Sequence, residues 1–230
     1  MICTIHQPNY LPYPGFFEKA FRSEVFVIYD TTQFRKNDWQ NRNKICTPDS
    51  WQWLSVPILH NFGQKIKDVK IDLAKKPLKK NWNSLKTVYG KAPFFSEYCG
   101  VFEEIYSRDY TYISDLSCEL IIAIAGILGL KTKFIKNSDL PPVETFSTQA
   151  LIDICKNAGA DKYISGSEGK NYLQMKLFDV AGIDVIFQKY TPPVYIQFNN
   201  STFQPYMCIL DLIFNCGDES LRILTQNQNY

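Results

Sequence analysis

The sequence predicts an α/β fold with a Rossmann-like, mostly parallel sheet that carries helices on both faces. Residues 2–5, 15–24 and 25–29 have the pattern of a strand, a helix and a strand, and such a crossover joins parallel strands. Residues 131–188 show a second alternation of short apolar runs and amphipathic segments. Alternation in both parts of the chain favours a doubly wound sheet.

The first helix is predicted from apolar residues at helical spacing. Its apolar positions are Phe16, Phe17, Ala20 and Phe21. Pro12 and Pro14 stand just before it, where proline is tolerated at a helix start.

The middle of the chain departs from this alternation. Residues 33–50 are expected to form a polar loop, and the segments 51–59 and 68–72 are expected to pair as antiparallel strands. Three helical patterns then follow, at 81–90, 94–107 and 110–130. We therefore expect a single α/β domain, residues 1–230, with a helical insertion at residues 78–130.

The last hundred residues return to strands and helices. The predicted strands are 131–136, 161–166 and 183–188, and the predicted helices are 148–159 and 171–182. Two short helices around Gly217 are expected in residues 209–224.

Composition excludes several classes of protein. The 25 basic and 23 acidic residues leave a net charge of +2, so no nucleic-acid-binding face is expected. Seven scattered cysteines without a CxxC pair fit reduced thiols, and two distant histidines give no metal site. The longest apolar run, residues 120–130, is too short to span a bilayer, and the N-terminus lacks the pattern of a signal peptide. We expect a cytoplasmic protein without a transmembrane segment.

Polar residues follow each predicted strand of the sheet. Open α/β sheets bind ligands beyond the carboxyl ends of their strands, so these residues are expected to converge on one edge. They are His6, Gln7, Asn9 and Tyr10 after the first strand, Asp30 and Gln33 after the second, Asn137 to Asp139 after the third, Ser165, Gly166, Gly169 and Lys170 after the fourth, and Gln188 after the fifth.

His6 is the candidate catalytic residue of this edge. Its ordinary pKa lies near neutrality, which suits a general base or a donor to a developing negative charge. If the first two strands are neighbours, Asp30 is placed to orient the imidazole. The alternative is a histidine that ties its ring to the backbone of a loop.

Two further segments are candidates for binding an anion. Residues 165–172 (SGSEGKNY) form a glycine-containing strand-to-helix loop whose amides, with Lys170, could face a phosphate, or form only a tight turn. Residues 37–44 offer Arg42 and Lys44 among amide side chains, or form only a solvated loop.

Five motifs in this order resemble the WbqC-like family over nearly the whole chain. They are HQPNYLPYPGFFEKAFRSEVFVIYD, TTQFRKNDWQNRNKI, WQWLSVPI, ADKYISGSEGKNYL and CILDLIFNCG. The resemblance implies a bacterial protein of O-antigen or other surface-polysaccharide synthesis. It also implies a glycine or acyl transferase that acts on the amino group of a nucleotide-linked amino sugar.

The family's motif positions coincide with the polar strand ends. They are His6, Gln7, Tyr10, Asp30, Gln33, Asn41, Arg42, Lys44, Ser165, Gly166, Gly169, Lys170, Asn171 and Tyr172. Glu168 departs from the family's glycine-rich pattern, and its charge would repel a phosphate in this loop.

The identity of any cofactor stays open, with ATP or an activated acyl or aminoacyl donor as candidates. A weaker likeness to nucleotidylyltransferase-like enzymes such as pantothenate synthetase rests on a first strand that ends in a histidine motif. This likeness leaves an ATP-dependent adenylate-forming enzyme as one alternative. The other alternative is a non-catalytic sugar-nucleotide binding protein, and a homo-oligomer is compatible with each of these functions.

Overall fold

The computed structural model describes residues 1–48, 50–198 and 200–226. Its strands are β1 (Ile2–His6), β2 (Val25–Ile28), β3 (Arg42–Thr47), β4 (Ser50–Ser55), β5 (Ile58–Leu59), β6 (Lys70–Ile71), β7 (Lys133–Lys136), β8 (Lys162–Ser165) and β9 (Asp184–Phe187). Its α-helices are α1 (Pro14–Phe21), α2 (Pro77–Tyr89), α3 (Phe95–Ser107), α4 (Ile113–Ile127), α5 (Ser147–Asn157), α6 (Met175–Ala181), α7 (Ile209–Cys216) and α8 (Ser220–Thr225).

The main sheet has five strands in the spatial order β7-β2-β1-β8-β9. Every neighbouring pair is parallel, and His6 at the end of β1 lies opposite Ile28 at the end of β2. The predicted α/β class with a Rossmann-like parallel sheet is confirmed.

Both faces of this sheet are buried because side chains alternate along each strand. Phe26 and Ile28 of β2 join a hydrophobic cluster that contains residues of α1, α4 and α7. Val25 and Val27 of the same strand join a second cluster with Ile152 of α5 and Phe178 of α6. The two clusters hold the sheet rigidly between layers of helices.

Helices α2, α3 and α4 occupy the region predicted to be helical. Helix α2 begins earlier than expected, at Pro77, because proline is favourable at the first position of a helix. Leu85, Phe102 and Leu116, one from each helix, are fully buried in the same cluster as Phe26 of the sheet.

The prediction of a polar loop at residues 33–50 is wrong for the second half of this range, which contains β3. This strand pairs antiparallel with β4, whereas the predicted pairing with residues 68–72 is found only between β5 and β6. In β3, Asn43 and Ile45 face inward while Arg42 and Lys44 are partly exposed. The inward asparagine hid the period-two pattern of a strand in the sequence.

The helix predicted at residues 171–182 starts later than expected. A 3-10 turn occupies Ser167–Asn171, and α6 begins at Met175. The glycine-containing loop after β8 therefore does not lead directly into an α-helix.

Residues 188–198 and 200–208, between β9 and α7, have an irregular structure. Asp211 of α7 fixes this segment, since the Tyr195 hydroxyl and the Gln197 amide each donate a hydrogen bond of 2.7 Å to its Oδ2 atom. Asp211 is fully buried, and its desolvation raises the pKa of its carboxyl. This anchor sets the path of the segment that brings Tyr206 to the cavity described next.

Candidate functional site

A cavity of about 580 Å³ lies beyond the ends of β1 and β8. From β1, the strands β2 and β7 lie toward one edge of the sheet, and the strands β8 and β9 lie toward the opposite edge. The strand order therefore reverses between β1 and β8, which is where open α/β sheets bind ligands. We call this the switch-point cavity.

The switch-point cavity gathers seven of the predicted site residues. They are His6, Asn9, Lys44, Gly166, Gly169, Tyr172 and Gln188. It also contains Glu168 of the loop already considered, and residues that the sequence did not indicate, among them Tyr13, Lys19, Trp39, Asn43 and Tyr206. Five tyrosine or tryptophan rings and three amide side chains around a few charged groups give the mixed lining that is typical of a small-molecule site.

His6 at the end of β1 holds a neutral imidazole. Its Nδ1 atom lies 3.0 Å from the carbonyl oxygen of Gln7, and its ring meets the Phe16 ring edge to face with centroids 5.0 Å apart. Burial and, second, the nearby charge of Lys19 lower the pKa of His6 to about 3, and the Gln7 hydrogen bond partly opposes both. Because a carbonyl only accepts, Nδ1–H is the donor and Nε2 carries the lone pair.

Nε2 of His6 has no hydrogen-bond partner within the described part of the chain. The imidazole thus offers an acceptor to whatever occupies the cavity. The backbone contact expected of a loop histidine occurs at Nδ1, and a catalytic role for His6 stays a prediction that would use Nε2.

The HQPNYLP loop that follows His6 is held from three sides. The Asn43 side-chain amide donates to the carbonyl of Leu11 at 2.6 Å, and the Tyr10 amide donates to the carbonyl of Trp39 at 2.9 Å. The Ile209 amide donates to the carbonyl of Pro12 at 2.9 Å. Leu11 has a φ of 45°, an unfavourable angle for leucine that these bonds and its full burial maintain.

Lys19 of α1 is the unexpected charged residue of the cavity. Its residue surface is only 3% exposed, and no hydrogen bond or ion pair to another described residue involves its ammonium group. Burial lowers the pKa of Lys19 to about 8, with the charge of Glu18 acting in the opposite direction. Lys19 was not predicted because all the candidate residues of the sheet edge follow strands, whereas Lys19 lies within the helix between two strands.

Glu18, the neighbour of Lys19, is directed to other partners. Its carboxylate accepts a hydrogen bond from the Gln188 side chain and lies 3.5 Å from Arg22 Nη1. Gln188 also donates to the carbonyl of Gly15 at 2.8 Å, so its amide fixes α1 against the end of β9. Gln188 was predicted to bind substrate, and its amide nitrogen is already engaged in the framework.

The loop after β8 is a compact turn that leaves little room for an anion cradle. A Cβ atom on Gly169 would lie 2.1 Å from Ser165 Oγ, so only glycine fits at this position. The Gly169 amide donates to the carbonyl of Gly166 at 3.0 Å, and Glu168 accepts from the Asn171 side chain at 3.0 Å. Lys170 lies over the Phe187 ring and borders an adjoining cavity of about 360 Å³.

Asp30 does not orient His6 in this structure. Its two carboxylate oxygens accept hydrogen bonds from the backbone amide of Ser138, at 3.0 Å, and from the Ser138 hydroxyl, at 2.6 Å. Strands β1 and β2 are neighbours as expected, yet Asp30 is turned toward the end of β7, where Ser138 lies.

Gln33 lies away from the switch-point cavity as well. It borders a second cavity of about 750 Å³ beyond β2 and β7, together with Thr31, Asn137 and Ser138. The polar strand ends thus share one edge of the sheet but divide between two cavities.

Three predicted substrate-binding residues belong to the protein framework. The Tyr10 ring is fully buried, and its hydroxyl contacts the Tyr106 hydroxyl at 2.5 Å and accepts from Asn81 at 2.9 Å. Gln7 accepts a hydrogen bond of 2.6 Å from Gln40, and Asn41 donates one of 2.9 Å to the carbonyl of Val56. Tyr10 failed as a ligand residue because the loop turns its ring into the core.

Strand β4 and the turn before β3 present three partly exposed tryptophans, Trp51 and Trp53 of β4 and Trp39 of the turn, which we call the tryptophan cluster. Ring centroids are 5.5 Å apart for Trp39 and Trp53, and also for Trp51 and Trp53. Arg42 stacks on Trp53 at 4.2 Å, and its guanidinium donates to the carbonyl of Asn37. Lys44 lies 4.1 Å from Trp51, and it borders the cavity whereas Arg42 does not.

Comparison with known proteins places these features in a family. The model of the WbqC-like protein family matches residues 7–223. The chain belongs to the WbqC-like protein family. A curated relative, Uncharacterized protein Rv1507c of Mycobacterium tuberculosis (strain ATCC 25618 / H37Rv), is 34% identical over 222 residues, which cover 94% of each chain. No solved structure matches this WbqC-like chain.

The described residues of this WbqC-like protein contain neither a metal-binding cluster nor a membrane-spanning helix. Within the described residues, no group of three or more His, Cys, Asp and Glu side chains is placed to hold a metal ion. Across the same ranges, no helix combines the length and the apolar character needed to cross a bilayer.

Proposed function

We propose that this WbqC-like protein is an enzyme of bacterial surface-polysaccharide synthesis that transfers an acyl or aminoacyl group, such as glycyl, to a sugar amine. The acceptor is an amino sugar linked to a nucleotide, and the reaction takes place in the switch-point cavity. The observation that carries this proposal is His6, a neutral imidazole with a free Nε2 in a cavity at the sheet's switch point.

His6 is suited to the proton transfer that amide formation requires. The amine nitrogen attacks the carbonyl carbon of the donor, a C–N bond forms, and the carbonyl electrons move to oxygen. The attacking nitrogen becomes strongly acidic at this point, and Nε2 accepts its proton. Collapse of the intermediate breaks the bond to the donor's oxygen or sulfur, which leaves with the proton from Nε2.

The cavity rim is suited to a sugar nucleotide. Tyr13, Trp39, Tyr172 and Tyr206 provide rings against which a sugar or a base can stack. Of the predicted Arg42–Lys44 pair, Lys44 borders the cavity, which supports a contact between its ammonium group and the diphosphate.

The test is a transfer assay with purified protein, a nucleotide-linked amino sugar and, in separate reactions, an acyl-CoA, a glycyl-tRNA, or glycine with ATP. Mass spectrometry detects the new amide. We expect His6→Gln to lower kcat by about 10²- to 10⁴-fold, the usual contribution of general acid–base catalysis. A folded His6→Gln variant with wild-type turnover would exclude His6 as the base, and binding without any product would favour a non-catalytic function.

The strand order supports a second candidate, an ATP-dependent enzyme that forms an acyl or aminoacyl adenylate. Rossmann-like sheets bind nucleotides at the switch point, and the cavity beside His6 occupies this position. Release of pyrophosphate from ATP and glycine without any acceptor sugar would support this activity. Amide formation from a preactivated donor without ATP would exclude an obligatory adenylate.

A further inference from the structure

Lys19 places a buried positive charge on the switch-point cavity, and the structure gives this charge no ion-pair partner among the described residues. Lys19 is almost completely withdrawn from water, and burial of a cation is costly unless an anion or a set of acceptors replaces its hydration. Within residues 1–48, 50–198 and 200–226, no carboxylate forms an ion pair with Lys19. The acid beside it, Glu18, is engaged by Gln188 and Arg22.

The charge balance of the lining points to an anion at this position. The charged side chains that border the cavity besides His6 are Lys19, Lys44 and Glu168. Lys44 lies over the Trp51 ring, and Glu168 accepts from Asn171 in the turn after β8. Lys19 is therefore the buried charge of the cavity that lacks a partner.

Lys19 and His6 affect each other electrostatically. The Lys19 ammonium is one cause of the low pKa of His6, second to burial. An anion bound to Lys19 would offset this charge, stabilise the protonated forms of both residues and return His6 toward its ordinary basicity. A substrate anion at this position would therefore prepare His6 for its proton transfer.

We propose that Lys19 and His6 form a binding site for one oxyanion group of the substrate, a phosphoryl or a carboxylate group, at the floor of the switch-point cavity. The Lys19 ammonium forms the ion pair with this group, and the free acceptor of His6 remains available to a neighbouring N–H or O–H of the same ligand. The site is independent of the acyl donor's identity, and it would also serve the adenylate-forming alternative.

Calorimetry on the full chain tests the site with inorganic pyrophosphate as the phosphoryl probe and glycine as the carboxylate probe. We expect at least one probe to bind wild-type protein, and Lys19→Met to weaken its binding at least tenfold. Lys79→Met is the matched control, because Lys79 is an exposed lysine in the α-helix α2. The affinity of Lys79→Met for the same probe should stay within twofold of the wild-type affinity.

The two probes distinguish the sources of the oxyanion. Loss of pyrophosphate binding alone assigns the site to a phosphoryl group, and loss of glycine binding alone assigns it to a carboxylate. Unchanged affinity of both probes in folded Lys19→Met, or no binding to wild-type protein at tens of millimolar, would overturn the proposal.

Proton uptake by wild-type protein provides a second measurement that needs no variant. The pKa of Lys19 is lowered to about 8, so an anion that raises it should cause uptake of protons near pH 8. Titrations in two buffers of different ionisation enthalpy measure this uptake, and its absence would contradict an ion pair at Lys19. These binding results do not depend on turnover, so transferase activity and the oxyanion site can fail separately.

Discussion

The two cavities beyond the carboxyl ends of the sheet differ in how their polar side chains are satisfied. Beside the second cavity, Asp30 is bonded twice by Ser138, and Asn137 Nδ2 donates to the Thr31 hydroxyl at 2.7 Å, while Asn137 Oδ1 has no hydrogen-bond partner among the described residues. In the switch-point cavity, His6 Nε2 and the Lys19 ammonium have no such partner among the described residues. The hydrogen bonds beside the second cavity stabilise a loop, whereas the switch-point cavity leaves reactive groups available to a ligand.

This difference has a physical cause in the chain connections. Strand β7 lies beside β2, and the turn after it brings Ser138 directly to Asp30. Strands β1 and β8 are also neighbours, but the chain leaves them in different directions, so a gap opens between their loops. Polar residues at a switch point therefore remain unpaired more readily than those beside a continuous pair of strands.

The largest expected effect is a loss of stability in an Asp30 variant whose kcat is nearly unchanged. Asp30→Ala leaves the backbone amide of Ser138 without its charged acceptor and removes a second hydrogen bond of the buried Asp30 carboxylate, which should cost about 3 kcal/mol of unfolding free energy. Chemical denaturation measures this loss, and kcat per folded molecule should stay within a few-fold of wild type. Normal stability combined with a hundredfold lower kcat would instead mean that both cavities form one catalytic site.

At mildly acidic pH a smaller effect concerns the acid stability that His6 controls. Its pKa is lowered to about 3 in the folded protein, while the unfolded chain has an ordinary histidine. Between about pH 6.5 and pH 3 the unfolded state binds the extra proton, so stability falls as the pH falls through this window. His6→Gln removes this contribution.

The measurement is the difference in unfolding free energy between wild type and His6→Gln at several pH values. Relative to the variant, wild type should lose up to about 1.4 kcal/mol for each pH unit below about 6. The carboxylates titrate in both proteins and cancel in the difference. A difference that does not change with pH would show that the His6 imidazole is protonated as readily in the folded protein as in the unfolded chain.

Much of this comparison could be predicted from the sequence, because strand ends and apolar periods are local features. Residues after β1, β8 and β9 were expected at one edge, and His6, Gly166 and Gln188 do border one cavity. The direction of each side chain depends on tertiary contacts that no local pattern encodes. Tyr10 is directed into the core by Asn81 and Tyr106.

The residues that the sequence did not indicate have a common origin. Lys19 comes from the middle of a helix, and Trp39 lies in a segment taken for a loop. Both reach the cavity only because the sheet and the β3–β4 hairpin place their elements over it. Identification of such residues from a single sequence would require the packing angle of the elements, which depends on the whole core.

The smallest expected effect tests the aromatic rim of the switch-point cavity against that of the second cavity. Trp39 borders the first and Phe146 borders the second, and Phe146 is largely exposed. Trp39→Ala should raise KM for the sugar nucleotide about threefold to tenfold with kcat nearly unchanged, because stacking contributes about 0.5–1.5 kcal/mol. Phe146→Ala should leave KM within twofold, and an equal rise in both variants would show that substrate extends across the two cavities.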